Sequence, residues 1–337
     1  MKLPAKRGRT QVASDPIILR QAADAILNAD SITLACHINP DGDALGSMLA
    51  LALGLETAGK KVVRLCQDAV PLSYRFMPGS NLVARQPPAG WTPQVAVGLD
   101  CDAEHRLGKI APFVVGAPCV VDLDHHTGSG PFGHIRVLDS EASSTAQVVY
   151  ELLPYLGFEL SHDIATCLLA GIIFDTGAFR FSNTSAATFE AAATLVNAGA
   201  DPDLIHQAMF DNRPFSNVKL LGRALTNALS DGSIAWSALT RKDFRETGAE
   251  ETETEGVVNN LMAIRNIRAA ALFRETAHGI KVSLRSRDGI DVAEIARHFG
   301  GGGHVKASGC TVQKPMAEAM AEVLALMKLE AGKGPAR

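Results

Sequence analysis

Apolar positions in the first two hundred residues fall in short unbroken runs, separated by longer segments with helical spacing. Ser31–Cys36 (SITLAC) reads as a strand, residues 44–58 as a helix and residues 61–66 as a second strand. Val95–Leu99 and residues 118–123 are further apolar runs, each following a loop that carries Pro or Gly. Continuous rather than alternating apolar strands belong to parallel sheets covered on both faces. After Asp139 the pattern turns helical, over residues 143–156, 161–174 with Ser161 as N-cap, and 185–198. Asp201-Pro202 opens another helix, and residues 214–230 give one more.

The character then changes. Residues 233–240 read as a strand, 256–264 as a helix, and 268–274 and 280–286 as two strands around a Gly279 turn. Residues 291–298 form a helix stopped by four glycines, and 314–330 an amphipathic last helix. The expected fold class is α/β, a mainly parallel sheet with helices on both faces, joined to a smaller α+β C-terminal domain. The expected bounds are 1–200 for the first domain, 201–230 for a helical connector and 231–331 for the second domain. The first ten or so residues and the tail after Ala331 are expected to be mobile.

A length of 337 residues suits this two-domain division, at roughly 150 residues per domain. Hydrophobic residues make up 47% and charged residues 20%, enough for a sizeable core and against wholesale disorder. The longest apolar stretches, 167–174 and 269–273, fall far short of the roughly 20 residues that span a bilayer. The start, Met1-Lys2-Leu3-Pro4-Ala5-Lys6-Arg7, lacks the apolar stretch of a secretory signal, so a cytoplasmic protein without a membrane partner is expected. A net charge of −4, from 32 basic and 36 acidic residues, disfavours wrapping of long duplex DNA. A short oligonucleotide or small nucleotide, held by a few local cations, is compatible with it. Six scattered cysteines without a CxxC pair read as reduced, mostly buried thiols.

Candidate chemistry gathers where apolar runs stop. SITLAC ends in His37, followed by Asn39-Pro40-Asp41-Gly42-Asp43; VAVGL ends in Asp100; CVVDL ends in Asp124-His125-His126; CLLAGIIF ends in Asp175. In an open parallel sheet, ligands sit outside the carboxyl ends of the strands. Three strand ends and one helix end would bring these groups to one crevice. Four clustered carboxylates, Asp41, Asp43, Asp100 and Asp175, cannot all stay ionised without cations. Two divalent metals would balance them, and a mixed Asp/His shell favours manganese, with iron, cobalt or zinc as competitors. A two-metal centre points to phosphoryl hydrolysis. Each segment alone has a plainer reading. Asn39-Pro40-Asp41-Gly42 is also a β-turn, Asp100 a cap for a helix beginning near Glu104, His125-His126 core histidines, and Asp175-Thr176-Gly177 a helix end.

Taken in order, His37-x-x-x-Asp41-x-Asp43 with Gly46-Ser47, Asp100, Asp124-His125-His126 and Asp175-Thr176-Gly177 resemble the four motifs of the DHH phosphoesterase superfamily. Phe299-Gly300-Gly301-Gly302-Gly303-His304-x-x-Ala307-x-Gly309 resembles the glycine–histidine motif of its DHHA1 domain. The resemblance covers nearly the whole chain and is greatest to the group of bacterial bifunctional oligoribonucleases and 3′-phosphoadenosine-5′-phosphate phosphatases. It implies one metal on His37, Asp41 and Asp100, and a second on Asp43, Asp100, His125 and Asp175, with Asp100 bridging. It implies further that Asp124 orients the imidazoles and that His126 donates to the phosphate or the leaving oxygen. Substrate contacts are expected from Arg180, Arg285, Ser286, Gly301, Gly302, Gly303 and His304, although a helix C-cap also explains the glycines. The implied activity is hydrolysis of very short oligonucleotides to mononucleotides and dephosphorylation of 3′-phosphoadenosine-5′-phosphate. Cyclic di-AMP or a linear dinucleotide is the alternative substrate, an inactive nucleotide-binding regulator the alternative of another class, and a homodimer the implied assembly. An aromatic content of 5% leaves few stacking platforms for long single strands, in keeping with substrates of a few nucleotides.

Overall fold

The computed structural model describes residues 15–126, 132–254, 256–287 and 289–333, without the side chains of Thr252 and His304. The chain divides into two compact units, Met1–Asn212 and Arg213–Arg337. The first ten residues, expected to be mobile, lie outside the described residues.

In the first unit, six described strands form one sheet: β1 (Ser31–Cys36), β2 (Lys61–Leu65), β3 (Val83–Ala84), β4 (Val95–Leu99), β5 (Cys119–Asp124) and β6 (Ile135–Leu138). Their order is β3-β2-β1-β4-β5-β6, and every neighbouring pair runs parallel. The order reverses between β1 and β4. Chain connections there leave to opposite sides, which opens a crevice beyond the strand ends. Burial follows the continuous apolar runs, with all five residues of β4 buried.

Helices α1 (Pro16–Leu27), α2 (Gly42–Thr57), α3 (Ala111–Val115), α4 (Thr145–Leu156), α5 (His162–Asp175), α6 (Ala186–Asn197) and α7 (Pro202–His206) complete this unit. Helix α1 was not expected from the pattern. It nevertheless buries Leu19, Ala22, Ala23 and Ile26 at helical spacing, with Asp15 capping its first turn. Ser161 caps α5 as expected, accepting from the Ile164 N–H. Asp100 does not cap the next helical segment, whose N-cap is Ala103.

Helices α2 and α5 carry apolar residues nearly all round and are buried accordingly. They pack backbone to backbone because glycines face the contact. A Cβ on Gly46 would collide with the Cys167 carbonyl oxygen and stand 3.1 Å from the Gly171 nitrogen. One on Gly42 would come within 2.7 Å of the Phe174 Cβ. This close approach sets the start of α2 beside the end of α5.

The second unit contains α8 (Phe215–Thr226), α9 (Arg241–Thr247), α10 (Val257–Met262), α11 (Val292–His298) and α12 (Met316–Gly332). Its strands are β7 (Leu229–Asp231), β8 (Ile234–Leu239), β9 (Ala269–Thr276), β10 (Gly279–Ser286), β11 (Gly302–His304) and β12 (Ala307–Val312). They form a mixed sheet ordered β11-β12-β10-β9-β8-β7, antiparallel except for the parallel β8–β9 pair. Strand β12 escaped the sequence reading because Ala307, Ser308 and Gly309 dilute its apolar alternation. The last helix runs to Gly332, past the expected start of the tail. The stretch 201–230 is divided between the units. Ile205 of α7 joins the core of the first, while Leu220 and Ala224 of α8 pack in the second.

Because the obstacle at Gly46 is backbone, a methyl there has no soft neighbour to displace. Gly46→Ala is expected to destabilise the first unit by about 1–3 kcal/mol, read as a lower urea midpoint at unchanged slope. An unchanged midpoint would show that α2 and α5 can separate at no cost.

Candidate metal centre

The crevice at the β1/β4 reversal receives the end of β1, the ends of β4 and β5, the first turn of α2 and the last turn of α5. His37 follows β1 directly and is almost wholly buried. Its Nδ1–H donates to the Ile38 carbonyl at 2.8 Å, which turns Nε2 toward the carboxylates. That nitrogen lies 3.4 Å from Asp100 and 3.7 Å from Asp41. Asp41 combines two jobs. One oxygen caps α2, accepting from the Asp43 and Ala44 N–H groups, and the other faces His37.

Asp100 follows β4 with φ 56°, in the left-handed region that residues with side chains seldom occupy. It accepts a hydrogen bond from the Thr145 hydroxyl at 3.0 Å and lies 3.8 Å from His125 Nε2 and 3.4 Å from His126 Nδ1. Burial works to raise its carboxyl, but His37, His126 and His125 outweigh burial and hold it well below the usual carboxylate range. Asp43 is buried to 1% exposure and points at the start of α4. Its two oxygens accept from the Thr145 N–H at 2.7 Å and the Ala146 N–H at 2.8 Å. The positive end of a helix dipole thus partly offsets this charge. Burial and the charges of Asp100, Asp175 and Asp41 still push the Asp43 carboxyl well up.

Asp175 closes α5, and its carboxylate lies 3.3 Å from His125 Nε2. Burial, then Asp100 and Asp41, push it up to about 8. His125 Nδ1 faces the Ala142 carbonyl at 3.4 Å, while its buried Nε2 has no hydrogen-bond partner. Burial lowers the pKa of this imidazole, favouring the neutral form that a metal requires. Asp124 is fully buried. One of its oxygens accepts from the His125 and His126 N–H groups and, at 2.7 Å, from His126 Nδ1. Burial opposes protonation of His126, yet Asp124 and Asp100 raise it to about 9.

Three donor groups therefore lie with their atoms within 4.8 Å of one another: His37/Asp41/Asp100, Asp43/His125/Asp175 and Asp100/Asp124/His125/His126. The donors fit divalent ions on two counts. His125 Nε2 is a buried nitrogen with no partner but nearby carboxylates, and those carboxylates are too crowded to ionise together without a cation.

The residues expected to hold substrate are placed differently. Arg180 is exposed, with its Nε–H donating to the Gly177 carbonyl at 2.7 Å. In the second unit, Arg285 Nη1 donates to the Leu284 carbonyl. Ser286 is buried, and its hydroxyl donates to the Ile290 carbonyl at 2.6 Å, a bracing role rather than a solvent-facing contact. Gly301 and Gly303 pack so close to β12 that a Cβ would strike Gly309 and Cys310, or Ala307 and Ser308. Gly302, like Gly300 before it, faces open space. His304 ends β11, and its side chain lies outside the described residues.

Two contributors escaped the sequence reading. Thr145 touches both Asp43 and Asp100, and Asn183 Nδ2 bridges the Ser143 and Asp175 carbonyls. The run Ser143-Ser144-Thr145 ahead of an apolar helix is a visible start signal, but its carboxylate partner lies 102 residues away in sequence.

In the metal-free protein the Asp175 carboxyl holds its proton below about 8, and His37, raised to about 10 by Asp100 and Asp41 against the effect of burial, stays charged. Ion binding must displace these protons. Manganese affinity is expected to rise about tenfold per pH unit from pH 6 to 8 for each proton released. Calorimetry in buffers of different ionisation heat counts those protons. A flat affinity with no proton release would exclude binding through these groups.

Comparisons with known proteins give the family. Residues 31–172 match the DHH family, N-terminal domain, and residues 231–333 match the DHHA1 domain. The chain is 36% identical over 291 residues to the bifunctional oligoribonuclease and PAP phosphatase NrnA of Thermus thermophilus, with 84% of each chain covered. It is 27% identical to the cyclic-di-AMP phosphodiesterase GdpP of Geobacillus thermodenitrificans, over 88% of this chain and 47% of that one. The crystal structure of an exopolyphosphatase-related protein from Bacteroides fragilis superposes with a TM-score of 0.90 at 27% identity, covering 96% of this chain and 100% of that one. No described helix is long and apolar enough to cross a membrane. With its crowded Asp/His centre at the sheet's reversal point and both domain matches in order, the chain belongs to the DHH–DHHA1 phosphoesterases, hydrolases acting on phosphoester bonds.

Proposed function

We propose that this phosphoesterase uses two manganese ions to hydrolyse very short oligonucleotides to mononucleotides and to dephosphorylate 3′-phosphoadenosine-5′-phosphate. The observation that carries this reading is the convergence of three Asp/His donor groups, two of them sharing Asp100, in a chain similar along most of its length to a protein named for both activities. His37, Asp41 and Asp100 are assigned to one ion and Asp43, Asp100, His125 and Asp175 to the other. Such ions, when bound, supply positive charge to the phosphate oxygens and acidify water.

The protein's own groups do the positioning. Asp124 accepts from His126 Nδ1 and so commits that nitrogen, leaving Nε2 as the assigned donor to the phosphate or the leaving oxygen. A protonated His126 suits this role at neutral pH, because Asp124 and Asp100 favour the charged ring. Arg180, Arg285 and the backbone at Gly301, Gly302 and Gly303, with His304, are assigned to the substrate's phosphates and far end. The likeness to a cyclic-di-AMP phosphodiesterase favours a second reading, in which the same chemistry acts on a cyclic or linear dinucleotide.

A hydrolysis panel with manganese separates the two. It compares a dinucleotide, a five-nucleotide RNA, 3′-phosphoadenosine-5′-phosphate, cyclic di-AMP and pyrophosphate, beside Asp100→Ala. Turnover of the short RNA and the bisphosphate, lost in the variant, is the expected result; preference for cyclic di-AMP moves the protein to the second reading. Absence of turnover on all five overturns both.

Removal of the His126 donor should be felt most where the leaving oxygen needs a proton. His126→Ala is expected to lower kcat on a dinucleotide by about 10²–10⁴-fold, and much less on a nitrophenyl phosphoester, whose leaving group departs as the anion. Equal losses on the two substrates would reassign His126 to binding or structure.

A further inference from the structure

Immediately after Asp175 the chain makes an unusual turn. Gly177, Ala178 and Phe179 have φ values of 56°, 58° and 64°, so two residues with side chains sit in the left-handed region in succession. The turn is held in place rather than loose. The Phe179 N–H donates to the Thr176 hydroxyl, the Arg180 and Phe181 N–H groups both donate to the Thr176 carbonyl, and Asn183 ties the segment to the ends of α4 and α5. Such a conformation persists only where surrounding contacts over-determine it, and it recurs at ligand sites.

The turn presents aromatic rings. Phe179 stacks on Phe189 of α6, with centroids 5.3 Å apart and planes 21° from parallel. The Phe181 ring lies over Gly177, where a Cβ would collide with it. Gly177 is two residues beyond Asp175, at most about 7 Å along the chain. Phe181 is 52% exposed and Phe189 56%. Core packing does not require apolar rings at such exposure, and the chain is otherwise sparing of aromatics, at 5%. Arg180, between Phe179 and Phe181 in sequence, is exposed and donates its Nε–H to the Gly177 carbonyl.

We propose that Phe181 is the platform on which a nucleobase of the substrate stacks while its phosphate lies at the Asp175 end of the metal centre. This rests on the nucleotide-hydrolase reading above and adds a recognition element to it. Stacking on a ring is indifferent to base identity, since every base has a π-face. The platform therefore selects nucleotides over simple phosphoesters without selecting sequence. It also limits the number of bases gripped on the first unit to one or two, in keeping with substrates a few nucleotides long.

The test uses the full chain with manganese and two substrates, an adenine dinucleotide and the same backbone with hydrogen in place of both bases. Phe181→Ala should raise KM for the dinucleotide about tenfold or more, leave its kcat within about twofold, and leave KM for the base-free analogue unchanged. Phe181→Trp should restore KM, and its added indole emission, relative to the wild type, should be quenched by adenosine monophosphate. Quenching is read without turnover, so it stands or falls separately from the hydrolase assignment. Equal KM increases on the two substrates, no change on either, or no quenching overturns the platform. So does a change of oligomeric state in Phe181→Ala, which would mark the rings as a protein contact.

Discussion

Crowding of like charge is the constraint around which the first unit is built. Asp41, Asp43, Asp100 and Asp175 converge in a space where two of them are nearly excluded from water, and no arrangement of carboxylates alone is stable there. The fold answers with three kinds of partner. The N–H groups at the start of α4 take both oxygens of Asp43, imidazoles face Asp100, and the remaining charge is left for cations. A centre crowded in this way favours a bound cation, with protons as its competitors.

Precision at this centre comes from packing at a distance from the chemistry. Gly42, Gly46 and Gly171 let α2 and α5 touch through their backbones, and Gly171 also stands against Asp43, where a Cβ would lie 2.8 Å from the carboxylate oxygen. The carboxylates from the start of α2 and the end of α5 are thereby held on rigid, buried helices rather than on loops. Asp124 does for His126 what the Ile38 carbonyl does for His37: each fixes one ring nitrogen so that the other has a defined direction.

The second unit illustrates a different use of glycine. Gly301 and Gly303 are required because β11 pairs so tightly with β12, whereas Gly302 is not. A run that reads as a uniform flexible loop alternates two open glycines, Gly300 and Gly302, with two packing ones, and its last two enter β11. The aromatic turn beyond Asp175 is a similar case. In sequence it is a short polar and aromatic stretch after a helix, and nothing in it announces three successive left-handed residues.

Much of the architecture was legible in the chain. Apolar runs specified β1 and β4, because a strand buried on both faces has no polar side to show, and also β2 and β5, where Arg64 and Asp122 interrupt the run. Ser161 and Asp201 marked helix starts through local hydrogen bonding, and the groups that end each apolar run foretold which residues could meet. Strands β6 and β12 lacked local signals, being short or diluted by small residues, whereas α1 carried an Asp15-Pro16 start and helical spacing that the strand-centred reading did not use. Asp100 looked equally able to cap a helix, and Asn39-Pro40-Asp41-Gly42 to make a turn; Asp41 in fact caps α2 with one oxygen and faces His37 with the other. The sequence by itself determined the elements and the chemical types available at their ends, since these depend on neighbours a few positions apart. Only the tertiary structure decided that Thr145 secures Asp43 and Asp100, that the Ser286 hydroxyl braces a turn, and that Phe179 stacks on Phe189 of α6 beyond Asp175. Those outcomes depend on contacts between residues far apart along the chain, and spacing carries no record of which of them will meet.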